Sequence, residues 1–197
     1  MTAKTPAPVT LTGSHVRLEP LGRHHVADLF AVTHKDEEVF RWLSWSAPQH
    51  ESDVAAIVEG YLTNADCEPF AVIAADSGRA VGITCYYDCN AREEWVEIGG
   101  TWYGRSVWRS AVNTEAKLLL LTHAFEELGM GRVMWKTDNL NERSQNAIKR
   151  LGAQYEGTFR RARRRPDGTW RDTVYFSMLA EEWPAAKQRL TDRLAAG

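Results

Sequence analysis

Apolar positions along the chain keep two rhythms, every second residue in some stretches and every third or fourth in others, and these mark out its elements. HVRLEPL (15–21) alternates and predicts a first strand. In 23–43 the apolar residues Val26, Leu29, Phe30 and Val32, then Val39, Phe40 and Leu43, predict one helix and a short second one. The aromatic loop SWSAPQH follows, and Ser52 or Asp53 is placed to cap a helix running to about Ala65. FAVIAA (70–75), AVGITCYYD (80–88) and WVEIGGTWY (95–103) read as strands, the first two joined by a turn at 76–79. The Gly99–Gly100 pair inside the third suggests a bulge or a close backbone approach. Leu118, Leu121, Phe125 and Leu128 then predict a helix over 113–128, apolar enough to lie buried against a sheet and ended by Gly129 and Gly131.

RVMWKTD (132–138) is the next strand, and 141–151 is a helix opened by Asn141 and closed by Gly152. QYEGTFRRARR and TWRDTVYFSML flank Pro166-Asp-Gly168 and predict a hairpin. The last helix has Pro184 in its first turn. Residues 1–13, with Pro6, Pro8 and Gly13, read as a flexible arm; 14–197 read as one α/β (α+β) domain.

Composition narrows the classes. Hydrophobic content of 44% and charged content of 25% suit a soluble globular chain, and a net charge of −2 argues against binding polyanions such as nucleic acid. Cys67, Cys85 and Cys89 are an odd number with no CxxC, which predicts reduced thiols and a cytoplasmic setting. No apolar run approaches the ~20 residues of a membrane span, and the first residues lack the apolar core of a secretory signal. His24, His25 and His123 lack metal-ligand spacing, so no metal is expected.

The join between the third strand and the long helix, Trp108-Arg-Ser-Ala-Val-Asn-Thr114, is small and polar with one arginine. Helix N-termini expose unpaired amides, and small side chains let a phosphate approach them. The join therefore predicts an anion cradle, with a plainly capped helix start as the alternative. Ser110 and Ala111 are small and Asn113 tolerates left-handed angles, while Glu115, so near an anion, is expected to point towards solvent or a basic partner. A bulge at the glycine pair would free backbone groups of Thr101, Trp102 and Tyr103. Asn141 and Ser144 fall near one helix N-terminus on one face. Trp42 and Trp45 either wall a cleft or pack the core; Arg160, Arg161, Arg163, Arg164 and Arg165 either attract an anionic partner or form a solvated hairpin tip.

This order of elements, with EIGGTWY, RSAVNTEAK and DNLNERSQNAIKRLGAQYEG, resembles the GNAT superfamily of acyl-CoA-dependent N-acetyltransferases over about residues 14–183, and most nearly its ribosomal-protein N-terminal acetyltransferase branch. The resemblance implies the GNAT fold, a mixed, mostly antiparallel sheet splayed at its middle with helices on both faces, and acetyl-CoA in the splay as co-substrate. It implies a pyrophosphate cradle over Trp108, Arg109, Ser110, Ala111, Val112, Asn113 and Thr114. Trp108, Ala111 and Asn113 stand where the family usually has Gln or Arg, Gly, and Gly or Ala. Thr101, Trp102 and Tyr103 would pair through their backbones with the pantetheine arm, Asn141 would contact it, and Ser144 would lie near the thioester sulfur and return a proton to the thiolate. Glu97 matches the glutamate proposed as base in some relatives; Glu94 is the second candidate and a plain strand residue the alternative for Glu97.

An α-amine is neutral in roughly a tenth of molecules near pH 7, so such an acceptor needs only a positioned carboxylate and a water. The implied partners are an acyl-CoA and an amine acceptor, either a small molecule or a protein N-terminus; the resemblance also allows a homodimer. A non-catalytic acyl-CoA sensor and an RNA-associated module using the arginine hairpin are the competing readings.

Overall fold

The computed structural model describes residues 2–165 and 167–196. Eight strands form one sheet in the order β1-β2-β3-β4-β5-β6-β8-β7. They are β1 Leu11–Thr12, β2 Val16–Pro20, β3 Cys67–Ala74, β4 Ala80–Asn90, β5 Trp95–Tyr103, β6 Arg132–Asp138, β7 Gln154–Arg164 and β8 Trp170–Leu179. Every neighbouring pair is antiparallel except β5 and β6, which run parallel from Trp95–Arg132 to Glu97–Met134 and then part. That parting is the splay the resemblance implies.

Alternation along the strands builds two cores. Phe70, Val72 and Ala74 of β3 join one cluster with Val112, Ala116 and Leu120 of α4 (Ala111–Thr122) and Ala186 and Leu190 of α6 (Trp183–Ala195). Ala71 and Ile73 face the other way, into a cluster with α1 (Val26–Thr33), α2 (Glu37–Phe40) and α3 (Glu51–Leu62). Helices thus cover both faces. The N-cap of α3 is His50, earlier than expected, and Asp53 caps from inside the first turn by accepting the N–H of Gln49 and His50.

The glycine pair does bulge. Ile83 pairs with Trp102 and Cys85 with Gly99, so Thr84 faces both Gly100 and Thr101. Gly100 has φ of 57°, and a Cβ there would stand 2.8 Å from the Tyr87 hydroxyl, so both backbone and space ask for glycine.

Three expectations need correction. Residues 1–13 are tied down over part of their length: Ala3 is buried, Lys4 N–H donates to Leu128 O at 2.8 Å, and Leu11 and Thr12 pair with β2. The long helix starts at Ala111 rather than 113 and ends in a π-helical turn, His123–Glu127. Glu115 points neither to solvent nor to a cation: it is buried and accepts the backbone N–H of Ser14, His15 and Val16 at 2.9, 2.6 and 2.7 Å. This carboxylate stitches α4 to the start of β2. Glu115→Gln keeps the size but turns an N–H₂ towards backbone donors, and should cost about 1–3 kcal/mol, read as a lower midpoint in urea unfolding. The hairpin signal includes Pro166, which lies outside the described residues; on either side β7 and β8 pair as expected.

Candidate active site

Where β5 leaves β6, a cleft of about 1330 Å³ opens between the two halves of the sheet. Residues from both faces line it. Four buried polar atoms have no partner among the described residues, Trp102 Nε1, Tyr103 Oη, Trp135 Nε1 and Arg171 Nε, and all four residues line this cleft. Buried polar groups are normally satisfied, so orphans gathered in one place fit a site built around a polar ligand.

On the α4 face, the chain turns through Arg105–Val107 into the join. Trp108 is fixed on three sides: its indole N–H donates to Tyr103 O at 2.9 Å, its backbone N–H donates to Arg105 O, and the Arg143 guanidinium lies 4.0 Å over its ring. Arg109, not Asn113, takes the left-handed angle, with φ of 62°. Ser110 is the N-cap; its hydroxyl donates to Val107 O and accepts the N–H of Val112. The amides of Arg109, Ser110 and Ala111 have no hydrogen-bond partner among the described residues.

Trp108, Arg109, Ser110, Asn113 and Thr114 line the cleft. Ala111 and Val112 do not, and Val112 packs into the core with its N–H already held. Ala111 sits in the first turn of an ordinary helix, so its place in the glycine pattern asks for no special angle. Across the gap, α5 (Glu142–Leu151) begins with Asn141, whose Oδ1 accepts the N–H of Ser144 at 3.1 Å; both residues line the cleft.

Thr101, Trp102 and Tyr103 also line it. Their strand pairs with β4 on one side, while the side that met β6 is open beyond Glu97. The Tyr103 carbonyl is not free, since Trp108 occupies it, and the Trp102 side chain packs on Phe40. Beside the bulge stands a residue that sequence reasoning missed. Lys117 of α4 is buried and donates to Thr84 Oγ1 at 2.9 Å and Thr101 Oγ1 at 2.6 Å. Burial pulls its pKa from 10.5 down to about 7, with the Cys85 thiol acting weakly the other way. The signal available in the sequence was a lone cation inside an otherwise apolar helix.

On the opposite face, Glu97 is 8% exposed and lines the cleft. Its Oε2 is 2.6 Å from Lys136 Nζ, which also reaches Asp88 Oδ2 at 2.9 Å. Burial pushes the Glu97 carboxyl above the usual range even though Lys136 pulls the other way; desolvation is the larger effect. Glu94 lies in an exposed turn outside the cleft. Trp42 and Trp45 do wall the cleft, and Trp45 packs 5.1 Å from the Tyr61 ring. The hairpin arginines separate: Arg165 is locked on Asp138, Arg164 lies 3.9 Å over Trp170, and Arg163 lines the cleft with Arg171. Glu19, His24 and His25 come within metal-binding distance of one another, but His25 is already engaged by Gly22 N–H and Glu19 through its two ring nitrogens.

Residues 15–154 match the acetyltransferase (GNAT) domain family. YdaF of Bacillus subtilis, named as a ribosomal N-acetyltransferase, is 26% identical over 173 residues, 86% of this chain and 92% of its own. The crystal structure of a GCN5-related N-acetyltransferase from Brucella melitensis superposes with a TM-score of 0.94 at 32% identity, covering 98% of this chain and 88% of that one. RimJ of Mycobacterium smegmatis, solved with CoA-disulfide, shares the fold at a TM-score of 0.80 and 22% identity, over 94% and 95% of the two chains. No helix among the described residues is long and apolar enough to cross a membrane. The splayed sheet, the open amides before α4 and these likenesses agree: the chain belongs to the GNAT acetyltransferases, acyltransferases that use acetyl-CoA as donor.

Proposed function

We propose that the enzyme acetylates a primary amine by direct attack, with acetyl-CoA held from the α4 face and the amine presented from the Glu97 face. The observation that carries this reading is the fork itself: β5 leaves β6 right after Glu97, so an open strand edge and a buried carboxylate meet at one point. The unpartnered amides of Arg109, Ser110 and Ala111, with Asn113 and Thr114 beside them, suit a diphosphate. Backbone groups on the open edge of Thr101 and Trp102, and Asn141 across the gap, suit an amide-bearing arm.

The amine nitrogen forms its bond to the acyl carbon as the carbon–sulfur bond breaks. Its surplus proton passes to Glu97 through a water; Ser144 gives its hydroxyl proton to the departing thiolate and takes one back from solvent, to which Glu97 releases its own. A backbone N–H near Thr101 polarises the carbonyl.

A cytoplasmic setting rests on the three cysteines, an odd number with no CxxC, which suit reduced thiols. A homodimer would have a long exposed edge available in β7, where Tyr155 and Phe159 are 59% and 61% exposed. Thiol release from acetyl-CoA, followed across a panel of amines and peptides, tests the reading. Acceptor-dependent release is expected. Tight CoA binding with no acceptor able to raise the release rate would replace it with the sensor reading.

A further inference from the structure

The two arms of the hairpin differ in length. Phe159 pairs with Thr173 and Arg163 with Arg171, so β7 spends two more residues than β8 between these pairs. The excess is taken up around Arg161, which has φ of 51° and whose N–H is held by Asp172 Oδ1 at 2.7 Å. Bulges of this kind re-aim side chains beside functional sites. Here the result places two arginines directly opposite each other, an arrangement in which like charges repel.

Among the described residues no acid forms an ion pair with either arginine. Asp138 is the nearest candidate, but its two oxygens hold Arg165 at 2.7 and 2.9 Å, and Oδ1 also takes the N–H of Leu140. Glu97 is engaged by Lys136. The Arg171 side chain makes no hydrogen bond or ion pair among the described residues, and its Nε is buried. Burial, and after it the charge of Arg163, lowers its pKa from the usual arginine value, with Asp138 and Glu97 opposing and Arg165 adding to the strain. Arg163 donates to Ser44 Oγ at 2.8 Å, bridging the hairpin to the loop after α2.

Both arginines line the cleft, on a known face. Val174, Phe176 and Met178 of β8 point into the α4 core, so Arg171, Thr173 and Tyr175 point the other way, where Lys136 and Glu97 are. A half-buried guanidinium without a counterion is costly, and its fork matches a carboxylate through two parallel N–H···O bonds.

Resting on the reading that an amine docks at the Glu97 face, we infer that the acceptor carries a carboxylate close to its amine, and that Arg171, with Arg163 beside it, binds that carboxylate. The amine then meets Glu97 while the carboxylate meets Arg171 on the same face. Arg171 is a specificity residue in this scheme. The carboxylate has two sources, the α-carboxylate of a free amino acid or an acidic side chain at a peptide N-terminus.

Thiol release from acetyl-CoA separates them and tests the scheme. The probes are free amino acids against their carboxamides, and tripeptides beginning with Asp or Glu against those beginning with Asn or Gln. A charge-assisted pair predicts that kcat/KM for the acid exceeds that for its amide by about 10- to 100-fold in one arm or the other. Arg171→Gln should bring that ratio to about 1, and Arg171→Lys, which keeps the charge and loses the fork, should leave an intermediate value. Both substrates are measured on one preparation, so the ratio survives a partly unfolded variant. Equal rates for acids and amides in the wild type, or a ratio unmoved by Arg171→Gln, overturn the inference while acetyl transfer stands. Failure of every amine to raise thiol release removes the amine-acceptor reading and this one with it.

Discussion

Replacing Glu97 by glutamine is expected to lower kcat by about 100-fold or more, the usual contribution of a positioned general base, and to leave acetyl-CoA affinity within about twofold. Glutamine has the same shape and still fills the space beside Gly99, where a carboxylate oxygen now lies 3.0 Å from the position a Cβ would take. It cannot accept the proton of an ammonium. Lys136 keeps Asp88 as a partner, so the change does not strand a cation. The donor groups assigned to the nucleotide lie on the α4 face and do not touch Glu97, hence the separation of turnover from affinity.

The pH profile gives an independent reading. Activity needs the carboxylate, so in the wild type it is lost as pH falls through the Glu97 pKa. Burial has raised that pKa, so the loss begins at higher pH than for an ordinary glutamate. Protonation of the acceptor amine lowers the rate with falling pH in both proteins, so the ratio of wild-type to variant kcat is the readout, and it should fall towards 1 as pH drops through the Glu97 pKa. A variant rate equal to wild type, or a ratio that does not change with pH, would remove Glu97 as the base.

Local chemistry explains which parts of this molecule were legible in the sequence. β5 and β6 were bounded correctly at Trp95–Tyr103 and Arg132–Asp138 because alternating runs end at turn residues. Asn141 and Gly152 set the limits of α5 through bonds within a few residues. The bulge at Gly100 was legible for the same reason, since a positive φ is a property of one residue.

What the sequence hid depends on distant partners. Glu115 was expected to face solvent or a basic partner and Lys117 drew no reading, yet α4 is covered by the sheet on one side and by α6 and the N-terminal segment on others. The left-handed angle lies at Arg109, which no sequence signal marked, because Ser110, one residue on, caps the helix and draws Asn113 into its first turn. The Arg163–Arg171 pair could not be foreseen from alternation, since the bulge at Arg161 resets the register between them. The free state of Arg171 follows only once Asp138 is seen to be taken by Arg165.

The largest stability effect is expected at Lys117. In the unfolded chain this amine stays protonated up to about 10.5; in the folded protein it releases its proton near 7. Between those values the unfolded state binds more protons, so stability rises with pH across this window. Below about pH 7 both states are charged and the full cost of the buried ammonium is present. At 1.36 kcal/mol per pH unit, that cost is about 4–5 kcal/mol at pH 6 and about 2 kcal/mol at pH 9. Lys117→Met removes the charge, keeps most of the volume, and leaves Thr84 and Thr101 hydrogen-bonded to each other at 2.8 Å. The variant should therefore be more stable than wild type in urea unfolding at pH 6, with the gap narrowing towards pH 9. A gap that does not change with pH would show that the lysine is not held neutral. A wild type more stable than the variant at pH 6 would show that the two hydroxyl partners outweigh the cost of burial.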